Sequence, residues 1–441
     1  MAKRSDNEAR DATPLAADCR LSRRRLLKAG IAVASSTLLQ PRFASAFVQQ
    51  KAFRYEPGPS QPNRSALNPR WYGFNLLEYF STDPDWMKYF PYQNDGMFRE
   101  DDFRWIRDWG FNWVRLPMDY RFWTDPDLFT IHEKRVGPID RAVRLGEKYG
   151  VHVNICLHRA PGLCILDTMD EKLTGIAVTK EKTNVFGDSH TFEAFIHQWT
   201  YFAKRYKGIS SQKLSFNLVN EPVVLPNDSE RAEMEKNGPV KTSELFSPEF
   251  LRSHAKDYTR LAAASAKAIR DCDAERLVVT DGYPGAGTPV LDLFATGMLQ
   301  SCHTYTPIQV THHNCEWVRG LLTGSEPTPT WPLKDANGNI VYDRQKLEQT
   351  FHPWAGLAAE GVPIHFGEMG CYKYTPPETV LAWFNDTLEV LGNLNSGWAL
   401  WNFRGPFGVV DTERAGTKFE DWRGHKLDRP LLSLLQKKMK T

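Results

Sequence analysis

Short β-rich apolar runs alternate with amphipathic helical stretches along most of this chain, and that alternation constrains the fold more than any other feature. It calls for a parallel sheet wrapped by crossover helices. Eight strand candidates can be placed: Tyr72 to Asn75, Trp113 to Leu116, Val153 to Leu157, Leu214 to Val219, Leu277 to Thr280, Leu299 to His303, Ile364 to Gly367 and Trp398 to Asn402. Several are nearly continuous apolar runs, as expected of strands covered on both faces.

The intervening helices carry their own signals. Phe192, Phe195, Ile196, Trp199, Phe202 and Ala203 recur at helical spacing and form one apolar stripe. Ser247-Pro248-Glu249 reads as an N-cap, a proline at the first helical position and an acid in the first turn. Gly110 and Gly150 each close a helix just before a strand. Strand, loop, helix, glycine, strand is the syntax of an α/β (β/α)8 TIM barrel, whose chemistry sits at the C-terminal strand ends. No Pro-, Ser- or Thr-rich linker tethers a second module, so residues 47–441 are expected to form one catalytic domain. Thr311 to Asp343 reads as a long loop after strand six, placed to wall one end of a groove.

Residues 1–46 read differently. Ser22-Arg23-Arg24-Arg25-Leu26-Leu27-Lys28, a mild apolar run to Leu39 and an Ala44-Ser45-Ala46 cleavage site resemble a twin-arginine export signal. The expected destination is periplasmic or extracellular. No later stretch is apolar enough to span a membrane. Cys19 would leave with the signal, and the other six cysteines show no C-x-x-C or zinc spacing, so most are expected to be free buried thiols.

Charge and composition narrow the partner. Lys plus Arg (55) nearly balance Asp plus Glu (53) with no basic stripe beyond the N-terminus, which argues against nucleic acid and for a neutral partner. Aromatic residues make up 12% of the chain, including 14 Trp. Most of them fill core, but the excess suits surfaces that stack on sugar rings. Trp71, Tyr79, Trp123, Trp331 and Trp354 are candidate platforms.

The chemistry lies at two strand ends. Strand four breaks at Asn220-Glu221-Pro222, where proline cannot continue the ladder and biases Glu221 away from helix. Strand seven ends Gly367-Glu368. Residues ending strands four and seven face each other across a barrel mouth, and a facing carboxyl pair is the tool of glycoside hydrolysis. Asn75, ending strand one, fits a polar contact to substrate.

With these motifs the chain resembles glycoside hydrolase family 5, the cellulase-like family of (β/α)8 glycosidases, over essentially all of residues 47–441. The resemblance implies that Glu221 is the general acid/base and Glu368 the nucleophile of a retaining mechanism, with their carboxyl groups about 5 to 5.5 Å apart. It further implies that Arg115 and Tyr305 donate to Glu368 and lower its pKa. Asn220 would bind a sugar 2-hydroxyl, His158 and His303 would contact the sugar or orient Glu221, and Trp401 would stack beneath the ring being cleaved. The implied substrate is a β-linked polysaccharide or oligosaccharide, foremost β-1,4-glucan, with neither cofactor nor metal. The loop Gly162-Leu163-Cys164-Ile165-Leu166 is less polar than a typical sugar-binding loop of the family.

Alternatives remain open at this stage. The same site could serve a β-mannanase or an exo-acting β-glycosidase. His312-His313 are the main support for a metal-dependent barrel hydrolase. A non-catalytic carbohydrate binder is a third reading, although both carboxylates are present.

Overall fold

A computed structural model describes residues 70–440, apart from 91–95, 169–173, 225, 227, 237–247, 319–321 and 323–326. The export-signal reading, Cys19 and Ser247 lie outside the described residues. All eight expected runs are strands of one closed barrel: β1 (Tyr72–Asn75), β2 (Trp113–Asp119), β3 (His152–Arg159), β4 (Leu214–Asn217), β5 (Leu277–Asp281), β6 (Leu299–Thr304), β7 (Ile364–Met369) and β8 (Gly397–Leu400). Neighbours pair in parallel and in sequence order, and β8 returns to β1 with Tyr72 opposite Trp398. Every residue of these strands is buried, because the helices cover one face and the barrel interior the other.

Helices fill the crossovers: α1 (Glu100–Asp108), α2 (Glu133–Tyr149), α3 (Ser189–Arg205), α4 (Pro248–Cys272), α5 (Arg344–Ala359) and α6 (Pro377–Asn393), with α7 (Arg429–Lys438) after β8. Gly150 stops α2 with φ 65°, a left-handed cap that costs glycine little. Asp188 caps α3 by accepting from Thr191 N at 2.6 Å. Phe195, Trp199, Phe202 and Ala203 of the α3 stripe are buried, and Trp199 donates to Leu218 O at 3.1 Å, tying the helix to the chain just past β4.

The fifth crossover departs from the pattern. Between β5 and β6 runs a 3₁₀ turn, Leu291–Thr296, in place of an α-helix. The segment Gly282 to Pro289 carries three glycines and two prolines, which leaves too few uninterrupted residues for a helix before β6.

The inner end of the barrel is polar but satisfied. His152 shares Ser215 Oγ with Asn154, at 2.7 Å each, and His365 Nε2 lies 3.1 Å from Trp71 O. Trp71 stacks on His152 and Trp113 tilts against His365, with ring centres 4.0 and 4.6 Å apart. Trp71 therefore plugs the end remote from the chemistry and is no sugar platform.

The six described cysteines are unpaired, and Cys156, Cys164, Cys302, Cys315 and Cys371 are buried. Among the described residues no helix is long and apolar enough to cross a membrane.

Trp199 joins a helix stripe to a strand end and is fully buried. Trp199→Ala is expected to lower unfolding stability by about 3 to 5 kcal/mol. Urea denaturation showing a change under about 1 kcal/mol would contradict this placement in the core.

Candidate active site

Strand register brings the polar residues of the mouth together. Asn75 of β1 pairs with Arg115 of β2, and His303 of β6 pairs with Glu368 of β7 after a register shift at Cys302. Parallel neighbours at one level point the same way, so these side chains converge inside the barrel.

Arg115 is the hub. Its guanidinium is fully buried and donates to Asn217 Oδ1 (2.9 Å), Asn75 Oδ1 (3.1 Å), Asn220 Oδ1 (2.8 Å) and Glu368 Oε1 (2.5 Å). Tyr305 donates its hydroxyl to the other Glu368 oxygen at 2.9 Å. Both oxygens of Glu368 are thus held, which fixes the carboxyl plane. Glycine at 367 is required by space, since a Cβ there would sit 2.6 Å from Ser301 Oγ and 3.3 Å from His303 Nε2.

Glu221 is positioned differently. Regular pairing of β4 stops at Asn217, two residues short of the expected end, and Leu218 N and Asn220 N bond irregularly to Val279 O and Leu157 O. Glu221 then adopts φ 43°, a left-handed conformation that is rare outside glycine and asparagine. Pro222 makes the ordinary helical conformation unfavourable, and Asp281 Oδ2 accepts the Glu221 N–H at 3.0 Å, which holds the strained peptide. His303 Nδ1 lies 3.0 Å from Glu221 Oε1, and its Nε2 lies 3.3 Å from Asp281 Oδ2. Burial keeps the His303 imidazole well below its usual pKa, hence neutral.

The two glutamates meet. One oxygen of each, with a ring nitrogen of His303, lie within 4.8 Å of one another. Burial raises Glu221 well above the carboxylate range, assisted by the negative charges of Glu368 and Asp281. Glu368 is pushed up to about 7, again first by burial, while Arg115 and Tyr305 pull against it. Both donors lower the Glu368 pKa as expected, but desolvation outweighs them and the net shift is upward. Glu221 lacks the two donors that pull Glu368 down, which favours it as the protonated partner.

The remaining expected residues divide. His158, Tyr305 and Trp401 line one cavity of about 90 Å³ with Glu221 and Glu368. His158 is flanked by Phe80 and Trp401 at 4.5 and 5.7 Å between ring centres, and its Nδ1 has no protein partner. The Asn220 amide nitrogen sits beside Glu221 without a well-formed partner of its own. Asn75 differs from expectation. Its Nδ2 donates to Gly367 O and Leu400 O, its Oδ1 serves Arg115, and it props the arginine rather than facing substrate.

Other differences concern aromatics and an unforeseen acid. Trp123 and Trp354 are fully buried core, Tyr79 bonds to Arg135 O, and Trp331 donates to Asp386. The rings that do line the cavity are Phe80, Trp86, Phe90, Trp317 and Phe407, from the loops after β1, β6 and β8. Asp281, ending β5, contacts Asn217, the Glu221 peptide, His303 and Arg115, although nothing in its local sequence singles it out. Its one available signal was position, a carboxylate closing a barrel strand.

Among the described residues the one cluster with metal-ligand spacing is Glu221, His303 and Glu368, and neither His312 nor His313 belongs to it. A guanidinium 2.5 Å from Glu368 would repel a cation there, so the arrangement suits proton and covalent chemistry better.

The model for Cellulase (glycosyl hydrolase family 5) matches residues 70–405. The chain belongs to glycosyl hydrolase family 5. It is a glycoside hydrolase built on a single barrel. A crystal structure described as a glycoside hydrolase is 31% identical, with TM-score 0.67, covering 84% of this chain and 99% of that one. Endoglucanase C of Acetivibrio thermocellus is 22% identical over 70% of this chain and 85% of its own length. Cellodextrinase A of Ruminococcus flavefaciens is 23% identical over 68% and 77% respectively.

Because Asp281 raises both glutamates electrostatically, Asp281→Asn is expected to move both titrations to lower pH. Carboxyl ¹³C shifts of glutamate-labelled protein report them directly. In Glu368→Gln the transition near pH 7 should vanish, and its persistence would assign it elsewhere.

Proposed function

We propose that this glycoside hydrolase cleaves β-linked glucan chains with retention of configuration, Glu368 acting as nucleophile and Glu221 as acid/base. The observation that carries the reading is the pair itself: two carboxyl groups with oxygens within 4.8 Å, unequally fond of their protons, at the ends of facing strands. That closeness fits a retaining pair, at about 5 to 5.5 Å, and leaves no room for the water an inverting pair holds between them. The names of the relatives, an endoglucanase and a cellodextrinase, support β-glucan as the substrate class.

The steps follow from the geometry. Glu368, aimed by Arg115 and Tyr305, attacks the anomeric carbon while that carbon's bond to the leaving oxygen breaks. Glu221 passes its proton to that oxygen. The covalent glycosyl ester is then attacked by water, which gives a proton back to Glu221 and releases the Glu368 carboxylate. His303, neutral and wedged between Glu221 and Asp281, can accept from protonated Glu221 through Nδ1 when its own proton is on Nε2. The Asn220 amide nitrogen, beside Glu221, can turn to a sugar hydroxyl next to the reacting carbon.

Glu221→Ala is expected to cost about 10²- to 10⁴-fold on cello-oligosaccharides but far less on a dinitrophenyl glycoside, whose leaving group needs no proton. Glu368→Ala should abolish turnover of both while circular dichroism stays native. Proton NMR of the first product should show the β anomer. The α anomer, or turnover by Glu368→Ala, would overturn the assignment.

We also propose that the protein is exported. The support is the Arg23-Arg24 motif, the apolar run behind it and the Ala44-Ser45-Ala46 site. N-terminal sequencing of exported protein should read from Phe47; an intact N-terminus would oppose this.

A further inference from the structure

We propose that the enzyme removes one sugar at a time from the non-reducing end of β-glucan oligosaccharides, because rings from three loops close the glycone side of its cavity immediately beyond the sugar being cleaved. The inference rests on the retaining-hydrolase reading above and adds to it the direction and length of the bound chain.

Direction follows from the acid. Glu221 protonates the leaving oxygen, so the leaving part of the chain lies on its side, at the β4 end of the mouth. The sugar under attack lies over Glu368 and against Trp401, and its non-reducing end points away from Glu221. Trp401 follows β8, four strands around the barrel from β4 and therefore across the opening. What stands behind Trp401 decides how many further sugars can bind.

A block of aromatic rings stands there. Phe80 and Phe90, from the loop after β1, approach Trp401 with ring centres 5.4 and 6.5 Å away. Trp86, on a short helix of the same loop (Trp86–Tyr89), meets Trp317 of the β6 loop at 5.5 Å, and Phe90 meets it at 5.7 Å. Trp317 in turn reaches Phe407 of the β8 loop at 6.2 Å. The loops after β1, β6 and β8 are thereby bridged over the strand end that carries Trp401.

A ring that serves as a sugar platform must keep a face open to the groove. Phe80, Trp86, Phe90 and Phe407 are 1 to 3% exposed, below the 6% of Trp401, and Trp317, at 9%, is packed edge to face on Trp86 and at a tilt on Phe90 and Phe407. They form the end wall of the 90 Å³ cavity. The contacts share rings, so a second sugar could enter only by dismantling several of them at once. The loops after β3 and β4 hold a separate space, which shares no lining residue with this cavity. It is a cleft of about 510 Å³, lined by Val223 two residues past Glu221 and by Lys180, Glu181, Lys182 and Asn184.

The test uses the whole protein with cellopentaose and laminaripentaose, each labelled at the reducing end. One sugar lost per event is expected, with labelled tetramer and free glucose as first products, and no fall in the viscosity of carboxymethylcellulose. Labelled dimer or trimer as first product, with free di- or trisaccharide, would overturn the end-cleaving mode while leaving the retaining-hydrolase reading intact. Failure to cleave any of these, or p-nitrophenyl β-glucoside, would sink that reading and this one with it. Trp317→Ala, which opens the wall without touching the catalytic pair, should add disaccharide to the first products. A properly folded variant that still releases glucose alone would count against the wall as the limiting element.

Discussion

One buried cation organises this active site. Arg115 sits among three acidic groups, Glu368 at 2.5 Å, Asp281 at 3.8 Å and Glu221 beyond the Asn220 amide. Were all three ionised, the dry mouth of the barrel would hold two uncompensated negative charges, an arrangement that proteins avoid by keeping protons. At least one acid must therefore stay neutral, and the hydrogen bonds favour Glu221 over Glu368. Glu368 receives charged and phenolic donors on both oxygens, whereas Glu221 faces a neutral imidazole. The proposed division between acid and nucleophile follows from where a single guanidinium spends its N–H groups.

The backbone makes that division possible. Arg115 could not reach Asn75, Asn217, Asn220 and Glu368 together unless four strands ended at nearly one level, which closed-barrel register ensures. Glu221 breaks the regularity, turning into the left-handed region to bring its carboxyl back over the opening. The strain is offset by the bond from its N–H to Asp281, so the residue that holds the acid's backbone is also the charge that helps keep the acid protonated.

The barrel and its two glutamates were legible because they are written locally. Apolar runs of strand length mark β1 to β8, and Asn220-Glu221-Pro222 and Gly367-Glu368 announce strand ends by their chemistry. Asn75 shows the limit of that reasoning: a strand-end amide looks like a sugar contact, but two carbonyls and a guanidinium from other strands claim it. Asp281 shows the converse, an ordinary Thr-Asp-Gly stretch given meaning by four partners distant in sequence. The net upward shift of Glu368 was hidden for a related reason, since its donors can be guessed from motifs while its degree of burial cannot. The aromatic wall was equally hidden, because Phe80, Trp86 and Trp317 belong to irregular loops whose meeting depends on where the strands place their stems.

That wall connects selectivity to acidity. The rings that end the glycone side line the same cavity as Glu221 and Glu368, and burial is the leading cause of both raised pKa values. An open groove with several glycone subsites would wet the pair and let both carboxyl groups relax toward ordinary values, at some cost to Glu221 as a proton donor. A blind pocket keeps the acid protonated without further charged neighbours. The chain length accepted on one side and the proton affinity of the acid on the other are thus two results of the same packing.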